Sequence, residues 1–288
     1  MAAESPRIDL QKHLSKIHGQ NVTFYNRNII SGEPLKELGA VPAASLSDLV
    51  AQCDIIFSML PNDQALEDSI RSITNGSVSV TNTIFVDCST VHPDTAEKHR
   101  CSGCPSLAAT GQLVFAIGGP SSVSTLVRRY IEGVMGKKVI DCGEEARSAS
   151  LLKIAGNIIT LNLMEAVGEA QVFAERTGLG VLRMEELITE SFGPVAGGYS
   201  KRLTSGIYAP PLNTRPAFGV SLAIKDADHA LSIAGNVKVR LPGLEIAREN
   251  MRLSRQHAGE CLDGSCIYGA LRLEAGLPFR NEKSCQGK

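Results

Sequence analysis

The stretch Ile84-Phe-Val-Asp-Cys-Ser-Thr-Val-His-Pro93 sets the architecture. Three β-prone apolar residues run into Asp87, two hydroxyl residues follow at Ser89 and Thr90, and Pro93 stands where a helix opens. Proline is at home in the first helical turn, where its missing N–H costs no bond. A strand passing through a short polar turn into a helix is the repeating unit of a parallel α/β sheet.

On either side of it, further strands are expected at Val22–Tyr25, Ile55–Met59, Leu113–Ile117 and Lys138–Asp141. Helices are expected near Leu10–His18, Glu33–Leu38, Asp63–Ile73, Pro93–His99 and Val123–Glu132. After Gly143 the pattern changes. Leu151, Ile154, Ala155, Ile158, Leu161, Ala166, Ala170 and Phe173 recur at helical spacing, which predicts one helix over Ala146–Thr177, ended by Gly178. Such a helix spans about 45 Å. Helices are also expected at Arg183–Phe192, Pro216–Ala234, Leu241–Gln256 and Ser265–Glu274, and no strand after residue 144. The expected organisation is a parallel-sheet domain over 1–143 and an all-α domain over 144–288, joined by the long helix.

Composition narrows the function. Of 288 residues, 43% are hydrophobic and 20% charged, enough for a packed core without disulfides. A net charge of −1 argues against a nucleic-acid or anionic-membrane partner. The first residues carry no apolar run, so no signal peptide is expected. The most apolar window, Ile154–Phe173, contains Asn157, Asn162, Glu165 and Glu169, which speaks against a membrane span. The eight cysteines are expected to be reduced thiols of a cytoplasmic protein. Cys101-Ser-Gly-Cys104 lacks a second ligand pair, so no metal site is expected; a redox pair and ordinary thiols both remain open.

Several residues could carry chemistry. Asn26-Arg27 follows the strand that would meet the adenosine ribose of a dinucleotide. An acidic residue there selects NAD, whereas arginine pairs with the extra phosphate of NADP; a plain surface arginine is the alternative. Leu60-Pro61 ends an apolar strand, either facing a cofactor or merely starting a helix. Ser89 and Thr90 offer hydroxyls and backbone N–H groups to an anion, or a helix cap. Lys153 and Asn157 lie four apart in an apolar helix, where a half-dry lysine can exchange a proton; a solvated lysine is the bland reading. Lys225 ends the apolar run Phe218–Ile224.

Together these motifs resemble the β-hydroxyacid dehydrogenases, the family of 3-hydroxyisobutyrate dehydrogenase, tartronate semialdehyde reductase, glyoxylate reductases and imine reductases. The resemblance runs from about Leu10 to Pro278. Val22–Arg27 is similar to the family's strand ending in Asn-Arg, and Asp87–Pro93 to its Asp-x-Ser-Thr-x-x-Pro signature. Lys153–Asn157 through Gly178-Leu179 resembles its catalytic helix, Phe218–Asp226 its Lys-Asp segment, and Asp263-Gly-Ser265 the turn before its last helix. The resemblance implies a Rossmann-like cofactor domain, with NADP as cofactor and NAD as the alternative. It implies Lys153 as general acid/base, with Ser89 and Asn157 at a small-molecule substrate. Thr90, Leu60, Pro61 and Lys225 would contact the nicotinamide half, Asn26 and Arg27 the adenosine end, and the helical domain would build a homodimer.

Two departures accompany it. No glycine precedes Gly19, so the family's first strand and Gly-x-Gly-x-x-Gly turn are missing and the sheet is expected to be incomplete. The segment between His99 and Gly111 is shorter than the family's strand and substrate loop. Two functions follow from this: hydride transfer to or from a small hydroxy acid, aldehyde acid or imine, and a catalytically impaired relative that keeps only binding and dimerisation.

Overall fold

A computed structural model of the chain describes residues 11–12, 15, 21–76, 79–81, 83–99, 104–106, 113–212, 214 and 216–285. It divides into two compact units, Met1–Lys153 and Ile154–Lys288. The division falls inside the long helix, not at its start.

The first unit alternates strands and helices. Its strands are β1 (Thr23–Phe24), β2 (Val41–Pro42), β3 (Ile55–Ser58), β4 (Ile84–Asp87), β5 (Cys104–Ser106), β6 (Leu113–Ile117) and β7 (Gly136–Asp141). Its helices are α1 (Glu33–Lys36), α2 (Leu46–Gln52), α3 (Asp63–Thr74), α4 (Pro93–His99) and α5 (Ser121–Ile131), and the long α6 (Ala146–Arg176) begins in it. The starts of the helices are written locally. Ser45 accepts from the Asp48 N–H and Asn62 from the Ala65 N–H, the side-chain caps that satisfy first-turn donors.

Three ladders result: β1 with β2 and β3 with β4, both parallel, and β5-β6-β7, in which β6 and β7 are parallel and β5 runs antiparallel. Among the described residues no ladder joins β1 to β3. Val22 and Phe24 give their carbonyls to Val41 and Ala43, and Asp54 and Ser58 give theirs to Ile84 and Cys88. Alternate residues of a strand direct their backbone groups to opposite sides, so the remaining groups of β1 and β3 point away from these partners. The expected strands are thus present, and among the described residues they fall into separate ladders. The residues before Gln11, and most of the helix expected at Leu10–His18, lie outside the described residues; Gln11, Lys12 and Ser15 are helical. Val86, Phe115, Ile117, Val127 and Ile131 form this unit's main core.

Two strands are not legible in the sequence. β2 is two residues long and includes Pro42, which suits an edge strand because proline cannot extend a ladder. β5 is built from the shortened segment after His99, which therefore still supplies a strand beside β6. Cys104 opens β5, while Cys101 lies outside the described residues.

The second unit is helical: the rest of α6, then α7 (Val181–Thr204), α8 (Val220–Asn236), α9 (Pro242–Ala258), α10 (Ile267–Glu274) and the short α11 (Glu282–Cys285). The helix expected to end at Phe192 continues to Thr204 across a break at Gly193, whose φ of 84° only glycine adopts easily. Pro194 then starts the second half as it would start any helix. α8 begins at Val220, four residues later than expected, because Gly219 is extended and the Val220 N–H bonds to the Leu262 carbonyl. Leu161, Tyr208, Ala223, Leu244, Met251 and Ile267 lie at the centre of this unit's core.

By length and composition α6 is the one helix among the described residues that could cross a membrane. Its polar side chains are nonetheless used within the unit. Asn157 bonds to Asp226 on α8, Glu165 to Asn250 on α9 and Gln171 to Ser200 on α7.

Candidate functional site

The first cluster forms where β3 and β4 end. Parallel pairing in register places Ser58 beside Asp87. The Ser58 hydroxyl donates to Asp87 Oδ1 at 2.5 Å and the Ser89 hydroxyl to the same oxygen at 2.6 Å. Burial pushes the Asp87 carboxyl above its ordinary range, against the pull of these hydrogen bonds. Ser89 Oγ in turn accepts the Leu60 N–H at 2.8 Å, and Asp63 Oδ1 accepts the His92 N–H at 2.8 Å. Two bonds therefore tie the turn after β3 to the turn after β4. Leu60 and Thr90 are half-buried and Pro61 is exposed, so these tied turns present an apolar and a hydroxyl surface together. Carboxyl ends of neighbouring parallel strands are where open α/β sheets bind ligands.

The resemblance sets Ser89 against substrate. The structure gives its buried side chain to Asp87 and Leu60, so the hydroxyl shapes the turn. Asn26 is half-buried and Arg27 exposed just after β1.

The second cluster is helical. Lys153 is half-buried and Asn157 is buried one turn further along α6. Asn157 Nδ2 donates to Asp226 Oδ2 at 2.7 Å. Lys225 Nζ pairs with the other oxygen of the same carboxylate, Oδ1, at 2.9 Å. Asp226 is only 3% exposed. One buried carboxylate thus holds both a substrate candidate and a cofactor candidate. It turns the amide of Asn157 so that Oδ1 faces away from Asp226.

Sequence reasoning misses Asp226, Asp87, Ser58 and Asp63 as site residues. A signal for the two buried carboxylates exists: each closes an apolar run, where an acid needs a partner to be buried. Each has one partner close by, Ser89 or Lys225, and another 29 or 69 residues away, beyond any local pattern.

Residues 9–101 match the family described as the NAD binding domain of 6-phosphogluconate dehydrogenase. Residues 148–271 match the one described as NAD-binding of NADP-dependent 3-hydroxyisobutyrate dehydrogenase. The chain is 31% identical over 275 residues to the NADH-dependent oxidoreductase ucdB of Aspergillus ustus, covering 90% of this chain and 92% of that protein. It is 26% identical to the 2-hydroxy-3-oxopropionate reductase of Escherichia coli, covering 82% and 85%. Among solved structures, a 3-hydroxyisobutyrate dehydrogenase of Salmonella typhimurium matches at TM-score 0.77 and 16% identity, over 92% of this chain and 95% of that one. A Mycobacterium tuberculosis 3-hydroxyisobutyrate dehydrogenase with L-serine matches at TM-score 0.72 and 20% identity, over 93% and 95%. These likenesses fix the fold as a Rossmann-like domain followed by a helical domain. Its motifs, its fold and its relatives agree: the chain belongs to the β-hydroxyacid dehydrogenase family.

Proposed function

We propose that the chain is an NADP-dependent oxidoreductase acting on a small hydroxy acid, aldehyde acid or imine, with Lys153 as general acid/base. The nicotinamide cofactor supplies or accepts the hydride. Lys153 gives a proton to the substrate oxygen or nitrogen during reduction and takes it back during oxidation. Asn157 orients the reacting group. Ser89 holds the turn that carries Thr90, and its backbone flanks the substrate. Thr90, Leu60, Pro61 and Lys225 bear on the nicotinamide half; Asn26 and Arg27 bear on the adenosine end. The absence of a carboxylate after β1 favours NADP over NAD, although the Aspergillus ustus relative is named for NADH. Self-association through the helical unit belongs to the same reading.

The observation that carries this reading is the buried Asp226 carboxylate holding both Asn157 and Lys225. The residues present suit the cofactor: the tied turns at Leu60-Pro61 and Ser89-Thr90 offer backbone, hydroxyl and apolar contact at strand ends. The chain has no tryptophan, so binding is followed by calorimetry with NADPH and with NADH. Micromolar NADPH binding, weakened by Arg27→Ala, is expected. Lys153→Ala should abolish turnover while leaving cofactor affinity unchanged. No binding at millimolar concentration of either cofactor would overturn the proposal.

A further inference from the structure

We infer that Asp226 is a positioning residue that fixes which end of the Asn157 amide meets a ligand, so that the group seated at Asn157 is a hydrogen-bond donor, a hydroxyl or a protonated imine. The inference rests on the reading above, in which Asn157 orients the reacting group, and it narrows the substrate class. Asn157 and Asp226 both belong to the second unit. Lys225 Nζ lies 2.9 Å from Asp226 Oδ1, and Oδ2 takes the remaining contact, from Asn157 Nδ2 at 2.7 Å. A carboxylate only accepts hydrogen bonds, so the amide must turn its nitrogen inward. Asp226 is 3% exposed and is not itself free to turn toward a ligand.

The other end of the amide is the one that opens outward. Asn157 Oδ1 accepts no hydrogen bond from the described residues and is not sealed from solvent. A hydroxyl or the N–H of a protonated imine can donate to that oxygen. A hydroxyl can accept from the Lys153 amine at the same time, one turn earlier on the same helix face. A carboxylate, an aldehyde or a ketone has no proton to give and would set oxygen against oxygen. The carboxylate of a substrate is therefore held elsewhere than at Asn157.

The test is calorimetry of the full chain with matched pairs of small ligands. 3-Hydroxypropionate is compared with 3-fluoropropionate on protein loaded with the reduced cofactor. 1-Pyrroline, in buffer acidic enough to protonate it, is compared with cyclopentanone on protein loaded with the oxidised cofactor. Neither complex can turn over, since each holds the cofactor in the wrong redox state for its ligand. The donor of each pair is expected to bind about 10-fold tighter. Asp226→Asn should cut that preference to about 2-fold, because an amide in place of the carboxylate can meet Asn157 with either end. A merely structural role for Asp226 would weaken both members of a pair alike. Should Asp226→Asn fail to bind cofactor, Asn157→Ala is read instead, and loss of the acceptor should level the pairs in the same way. Pairs bound equally by wild type, or a preference that the variant leaves intact, would overturn the inference and leave the proposed function standing. A cofactor-loaded wild type that binds no member of either pair would overturn both.

Discussion

Asn157 and Asp226, 69 residues apart, are joined by a 2.7 Å hydrogen bond from amide to carboxylate in the buried interior of the helical unit. A buried bond to a charged group contributes more than a neutral one. Losing one partner also exposes the other to the full cost of burial. Asp226→Ala should therefore lower stability by roughly 2–3 kcal/mol in urea titration. Asp226→Asn should cost less, since its carbonyl can still accept from Asn157. Asn157→Asp would set two carboxylates against each other, so its cost should grow from about pH 5 to about pH 8. A cost that stays flat across that range would mean the two groups are not in contact.

Ser89 links Asp87 and Leu60 by bonds of 2.6 and 2.8 Å. Ser89→Ala leaves the Leu60 N–H and one Asp87 interaction unmade. A loss of roughly 1–3 kcal/mol is expected, with faster amide exchange at Leu60. Unchanged exchange at Leu60 would show that the two turns are held by something else.

Burial pushes the Glu165 carboxyl from an ordinary 4.5 up to about 7, opposed by the hydrogen bond from Asn250 and reinforced by Glu169 and Glu274. A carboxyl whose pKa is raised on folding favours the folded state most below the unfolded value. That advantage is lost as pH climbs from about 4.5 through 7. Wild type should therefore lose up to about 3 kcal/mol from this group between about pH 4 and about pH 8. Glu165→Gln should remove that slope while keeping an acceptor for Asn250. Parallel stability curves for the two proteins would refute the raised pKa.

Gly118 follows β6 where the chain passes the start of α6. A Cβ there would sit 2.5 Å from the Glu145 carbonyl oxygen and 3.3 Å from two further backbone atoms. Backbone cannot swing aside as a side chain can. Gly118→Ala should destabilise the first unit by about 1–3 kcal/mol, read as earlier proteolysis of that unit in a temperature series. Equal protease resistance would mean that the start of α6 shifts freely.

Some of the fold is legible because local chemistry decides it. Ile84–Asp87, Leu113–Ile117 and Pro93–His99 lie where β-propensity and proline placement put them. The end of the first half of α7 at Phe192 is legible in Gly193-Pro194, but not that the helix resumes after one turn residue and runs on to Thr204. For the candidate site, residue type and spacing point to Lys153, Asn157 and Ser89, and the family resemblance adds Lys225. Asp226 and Asp87 gain their importance from partners far along the chain.

Local sequence is enough for most of the elements, β2 and β5 excepted, for the passage from an α/β part to a helical part, and for the family. Each follows from periodicity, turn residues and short motifs that act over a few neighbours. It took the folded chain to show that the Ser89 hydroxyl links Asp87 to Leu60 and that one carboxylate holds Asn157 and Lys225. Those outcomes depend on which distant groups must share a buried acid, and no local pattern encodes that.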